Sequence, residues 1–190
     1  MTTPCPPGPG LSRALLVSAL ALLTGLLLAA GVILVVTLGW AASAPQPTRV
    51  FVALPERVSD GDTVVYSQGS CRLLGVDAPE RKKGSQPGQP MAEDAFKALR
   101  GELLRGPNTV LVYSVDRYGR NLCAIFDVDG YLVNLWLVES GFSETYMLDR
   151  SPFAAGLKAA EERARKDKRG IWAVPSYESP SSYRLRMKTP

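Results

Sequence analysis

Two short stretches, SDGDTVVY (Ser59–Tyr66) and RLLGVDAPE (Arg72–Glu80), put Asp62, Arg72, Asp77 and Glu80 into sequence that otherwise reads as β-strand, where Asp is depleted. Asp60-Gly61 is a turn signal, and Asp60 alone accounts for the turn. Asp62 needs another explanation, because it stands directly ahead of the run TVVYS. In the second stretch Pro79 ends the strand, leaving Asp77 and Glu80 three residues apart at its lip. Carboxylates gathered in one place repel each other unless a positive charge sits among them. Ca²⁺, which takes about 6–8 oxygen ligands from carboxylates, backbone carbonyls and water, meets that need.

Two arginines extend the set. Arg72 interrupts an apolar strand, where a charge must be paired or put to use, and Arg120, in DRYGRNLCAIF (Asp116–Phe126), opens another strand after a Gly turn. Each alone is better accounted for by a structural salt bridge. Together with a cation held by carboxylates and a spare carboxylate as base, their forked donors make a phosphoryl-transfer set.

The chain contains no histidine. That excludes Ser-His-Asp and Cys-His catalysis, HExxH zinc hydrolysis and any histidine general base. Three scattered cysteines cannot complete a zinc site alone and are too few for a disulfide framework. Cys71 and Cys123 fall in predicted strands and read as buried free thiols; a bond between them requires an exported domain. DVDG (Asp127–Gly130) lacks the spacing of an EF-hand and reads as a plain turn. The loop RKKGSQPGQP (Arg81–Pro90) brings Lys82 and Lys83 beside the acidic residues, either as solvated charge or for electrostatic capture of a polyanion.

The elements that must position these residues are legible from periodicity. RVFVAL, TVVYS, CRLLGV, TVLVYSV and LCAIFDV read as five strands. Between the third and fourth, Pro90–Gly106 carries Ala92, Ala95, Phe96, Leu99 and Leu103 at helical spacing. YLVNLWLVESG is a short apolar helix, and SPFAAGLKAAEERARKDKRG is a last helix with a Ser-Pro start and a basic end. The order β-β-β-α-β-β-α-α predicts an α+β fold built on a five-stranded OB-fold Greek-key barrel with three helices. The domain is expected over residues 49–172, after a tail (1–13), an apolar segment (14–40) and a Pro-containing linker (41–48), with a flexible C-terminal tail over 173–190.

The apolar segment, Ala14–Trp40, has no charge and exceeds both the ~20 residues of a membrane span and the about 7–15 of a signal-peptide apolar region. It reads as a single transmembrane signal anchor, with a removed signal peptide as the alternative, since ASA (Ala42–Ala44) has the form of a cleavage site. Basic residues flank both ends, so the positive-inside rule does not decide orientation; a short polar tail ahead of the run favours a domain outside the cytoplasm. Within the span, Ser18, Thr24 and Thr37 are its only hydroxyl side chains and give it no chemistry of its own.

The ordered blocks SDGDTVVY, RLLGVDAPE, AEDAFKALRGELL, DRYGRNLCAIF, LVNLWLVESGFS and AEERARKDKRGIW resemble the thermonuclease, or staphylococcal nuclease-like, family over Arg49 to Trp172. The resemblance implies an OB-barrel phosphodiesterase, a calcium-dependent endonuclease acting on DNA and RNA with little sequence preference. It assigns Ca²⁺ to Asp62, Asp77 and the backbone carbonyl of Ala78, and the attacking water to Glu80. Arg72 and Arg120 would neutralise the phosphate, and Arg117, Tyr118 and Tyr146 would touch the strand. Ala78 departs from the Thr of the family's best-known member; a carbonyl ligand survives that change. Some domains of this family are catalytically silent binding modules with acidic or arginine positions replaced, whereas this sequence keeps all five. No protein partner is evident and a monomer is expected.

Overall fold

The structure, a computed structural model, describes residues 45–188. The expected membrane or signal segment lies outside the described residues, as do the tail before it and the first four residues of the linker. Among the described residues no helix is long and apolar enough to cross a membrane.

Among the described residues eight strands form, β1 (Arg49–Ala53), β2 (Arg57–Asp60), β3 (Thr63–Tyr66), β4 (Gly69–Leu73), β5 (Val76–Asp77), β6 (Asn108–Val115), β7 (Asn121–Phe126) and β8 (Glu144–Thr145). Six of them make one sheet in the order β1-β6-β7-β4-β3-β2, antiparallel except for the parallel pair β4–β7. Its two outer members, β1 and β2, are separated by only Leu54–Glu56, so they are halves of one bent strand. The first half pairs with β6 and the second with β3, which curls the sheet back on itself. Five strand runs thus produce the expected α+β, OB-like arrangement. Val64, Leu73, Val110, Val112 and Ile125 fill its interior.

The run expected as one strand, CRLLGV, is in fact two. β4 stops at Leu73, and Val76 and Asp77 turn away to pair with β8 in a separate two-stranded sheet. Gly75 makes the break: its φ is +82°, and a Cβ there would stand 2.6 Å from Leu157 Cδ1, so only glycine fits. Asn134, wholly buried, holds the break in place. Its Oδ1 accepts from the Ile125 N–H (3.1 Å), and its Nδ2 donates to the carbonyls of Leu74 (2.9 Å) and Cys123 (3.0 Å).

Helices α1 (Ala92–Leu103), α2 (Val133–Glu139) and α3 (Ala154–Lys166) occupy the expected segments. In α1 the residues Ala92, Ala95, Leu99 and Leu103 are buried, the predicted face apart from a half-buried Phe96. Two expectations are corrected. Cys71 and Cys123 are not free thiols: β4 and β7 are neighbours, their Cα atoms lie 5.7 Å apart, and the sulfurs are bonded. Nor is the C-terminal segment a loose tail. It continues into helix α4 (Pro180–Arg186), capped by Ser179, with Pro180 and Tyr183 buried. Serine and proline are as frequent in a capped helix start as in a linker, and here they are the cap.

β8 brings Glu144 opposite Asp77. Burial, reinforced by the charge of Asp77 and opposed by a hydrogen bond from the Tyr177 hydroxyl (3.3 Å), pushes the Glu144 carboxyl up from 4.5 to about 7. The folded protein therefore binds this proton more tightly than the unfolded chain, and the stability it contributes is lost as pH rises from 4.5 through 7.

Urea denaturation checks both points. Asn134→Ala leaves the Ile125 N–H and the Leu74 carbonyl without partners in the interior and is expected to lose about 2–5 kcal/mol. Glu144→Gln is expected to gain stability relative to the native sequence as pH rises over that window in chelator; parallel profiles would contradict the assignment.

Candidate active site

Asp62 follows the tight turn Asp60-Gly61. A Cβ on Gly61 would lie 2.7 Å from Ala78 Cβ and 3.0 Å from Ala95 Cβ, so the glycine and two alanines let this turn pack against the Ala78 segment and α1. The packing delivers Asp62 to the Ala78 N–H, which donates to Oδ2 at 2.9 Å, while the Thr63 hydroxyl donates to Oδ1 at 3.1 Å. Asp77 arrives by the break after β4 and is wholly buried.

Arg72, on β4, pairs in register with Thr63 on β3. Its guanidinium bridges the two aspartates: Nη1 forms an ion pair with Asp62 Oδ2, and Nη2 with Asp77 Oδ1 at 2.6 Å. Nη2 also donates to the Val76 carbonyl at 3.2 Å. Burial pulls the Arg72 pKa down, and Asp77 and Asp60 oppose the shift. A guanidinium stays charged in proteins, so the fold holds a buried cation between two buried anions.

Glu80 stands beyond them, its side chain 19 % exposed. Oε1 pairs with Arg184 Nη1 at 2.8 Å and Oε2 with Lys83 Nζ at 3.3 Å. Arg184 also takes both oxygens of Asp77, at 3.0 Å (Nη1–Oδ1) and 2.8 Å (Nη2–Oδ2). Half-burial would lower its pKa, but the hydrogen bonds to Asp77 and Glu80 outweigh this and raise it.

Asp62, Arg72, Glu80 and Arg184 line a cleft of about 990 Å³, and Asp77 lies buried behind them, outside its lining. Arg120 lines it as well, and its charge is felt at Arg72. It does not touch the acidic trio; its Nε and Nη2 both pair with Asp116 Oδ2 at 2.8 Å, within the β6–β7 turn. Arg117 and Arg120 flank the exposed ring of Tyr118, at 4.9 and 5.6 Å from its centroid. Tyr146, held by its N–H to the Gly75 carbonyl at 3.0 Å, and Lys83 also line the cleft. Lys82 is exposed on the same loop and is not among the lining residues.

Among the described residues no three Cys, Asp or Glu side chains converge tightly enough to hold a metal ion. The donor set still suits a hard cation. Asp62 Oδ2 and Asp77 Oδ1 converge on a single guanidinium, so a compact positive charge between them is already the arrangement of the fold, and Ca²⁺ completes its shell with carbonyls and water. The Ala78 N–H faces Asp62.

Arg184 and Gln89 escaped the sequence reading. Gln89 accepts from the Glu80 N–H at 2.9 Å and donates to the Glu178 carbonyl at 2.8 Å. The Ser179-Pro180 start and the spacing of Tyr183 and Met187 are helix signals of the kind that located α3.

Residues 70–174 match the staphylococcal nuclease homologue family. A probable endonuclease of Eremothecium gossypii is 32 % identical over 166 residues, covering 78 % of this chain and 60 % of the relative. Endonuclease YhcR of Bacillus subtilis is 32 % identical over 160 residues, 75 % of this chain and 13 % of the relative. An uncharacterized endonuclease of Escherichia coli is 33 % identical over 123 residues, 62 % of this chain and 74 % of the relative. The chain thus spans little more than half the length of several relatives, 60 % and 54 % for two of them. Arg72, Asp77, Glu80 and Arg120 lie inside the matched segment; Asp62 and Arg184 lie outside it. The matched segment, the ordered sequence blocks and the OB-like sheet agree, and the chain belongs to the staphylococcal nuclease homologue family.

Proposed function

We propose that this domain is a Ca²⁺-dependent endonuclease that hydrolyses phosphodiester bonds of DNA and RNA with little sequence preference. The observation that carries the reading is the pair of buried aspartates converging on one guanidinium, which with Asp62 lines a cleft that further arginines also line. The names of the relatives support it. Asp62, Asp77 and the Ala78 carbonyl are the residues to hold the ion, which when bound polarises the phosphate and lowers the pKa of water.

The chain's own groups do the rest. Glu80, at the mouth of the acidic cluster, orients the attacking water and accepts its proton. Arg72, with one face on Asp62 and Asp77, is fixed as a donor to a non-bridging phosphate oxygen. Arg120 exchanges Asp116 for the phosphate on the leaving-oxygen side; its pairing with a partly exposed carboxylate is worth little, so the exchange is cheap. Arg117, Tyr118 and Tyr146 supply charge and ring faces to neighbouring nucleotides, and Lys82 and Lys83 draw the polyanion in. Backbone contacts and stacking carry affinity without base readout.

We place the domain outside the cytoplasm, tethered through the apolar segment or released after cleavage. The Cys71–Cys123 bond supports this, because such bonds persist in oxidising compartments.

Single-stranded DNA incubated with the full chain is expected to be cleaved with Ca²⁺ and left intact with chelator. Glu80→Gln and Arg120→Ala should each slow cleavage by about a hundredfold or more, the scale of losing one transition-state contact, with circular dichroism unchanged. Tight DNA binding without cleavage under any divalent ion would instead make this a binding module.

A further inference from the structure

Helix α4 has no part in the chemistry above, yet its Arg184 takes the acceptors that chemistry needs. Both oxygens of Asp77 and Oε1 of Glu80 receive its donors. The Arg184 guanidinium has donors only, so while docked it competes with a divalent ion for the Asp77 oxygens and with a proton-giving water for Glu80 Oε1.

The docking is specific. Tyr183, 6 % exposed, donates its hydroxyl to the Pro87 carbonyl, and Pro180 is buried beside it. Glu178, ahead of the helix, pairs with Arg186 at its end (2.7 Å), and Ser179 caps the helix by accepting from the Ser182 N–H at 3.1 Å. Gln89, 8 % exposed, ties the Glu178 carbonyl to the Glu80 N–H. The seat of α4 and the backbone of Glu80 are therefore joined through one side chain.

We infer that α4 is a built-in plug: Arg184 stands in for the divalent cation and silences Glu80, and the cation must displace it to load the site. This rests on the function proposed above and adds its regulation. A tethered competitor acts at high effective concentration, and apparent affinity falls by the fraction of molecules that are open. A plug docked in about nine molecules of ten weakens Ca²⁺ binding about tenfold. By reciprocity, Ca²⁺ loosens α4 by the same factor.

Two measurements on the chelator-treated full chain test this: calorimetric titration with Ca²⁺, and amide hydrogen exchange over residues 180–187 with and without the ion. Arg184→Met is expected to bind Ca²⁺ about tenfold more tightly than the native sequence, and Ca²⁺ is expected to speed exchange in α4 of the native chain. Tyr183→Phe, which loosens the seat without touching a carboxylate, should shift affinity in the same direction and guards against misfolding of the first variant. Equal or weaker Ca²⁺ binding in both variants, with α4 protection unchanged by bound ion, overturns the plug and leaves the cation site standing. No Ca²⁺ binding by any of the three proteins overturns the plug together with the cation site.

Discussion

One buried guanidinium holds two carboxylates that would otherwise repel each other, and the rest of the domain is arranged so that they can meet. Asp62 comes from a turn, Arg72 from β4 and Asp77 from a strand that leaves the main sheet. A buried ion pair is poor value as a source of stability, since desolvation offsets much of its Coulomb gain. Its retention fits a site that must present concentrated negative charge and a fixed donor in one place. Removing one member leaves a buried charge short of one of its partners, a loss of up to about 3–5 kcal/mol.

The supporting residues fall into place around that constraint. Gly61 permits the close approach of the Asp62 turn to Ala78, and Gly75 turns the chain so that Asp77 faces inward rather than continuing along β4. Asn134 accepts one hydrogen bond and donates two, tying the broken strand to β7. The barrel is the rigid part. The β6–β7 turn with Arg117, Tyr118 and Arg120, and the loop after Glu80, are surface segments, where exposed side chains can change partners when a phosphate arrives.

Much of this was legible in the sequence. Strand and helix periodicity located β1, β3, β4, β6, β7 and the first three helices, because their burial patterns follow from backbone geometry alone, whereas β2 and β8, short and polar, fall outside the predicted runs. The charges at Asp62, Arg72, Asp77 and Glu80 stood out because strands disfavour them. The split of CRLLGV was not legible: Leu74 and Val76 are as apolar as a continuous strand requires, and the break depends on Leu157 crowding Gly75 from a distant helix. The Cys71–Cys123 bond likewise depends on a strand pairing between segments 52 residues apart. The segment after Trp172 was misread because serine and proline serve loops and helix starts alike, and the partners that order α4, Pro87 and Gln89, lie about ninety residues earlier.

A double-mutant cycle on Arg72 and Asp77, read by urea unfolding in chelator, tests the shared guanidinium most directly. Arg72→Met and Asp77→Asn should each destabilise the domain by about 3–5 kcal/mol. The double variant should lose less than the sum by at least about 1 kcal/mol, since both single changes remove the same buried contact while Asp62 and Arg184 go on partnering the survivor. Losses that simply add, within about 0.5 kcal/mol, would mean that the two side chains do not depend on each other, and the account of the site would be wrong.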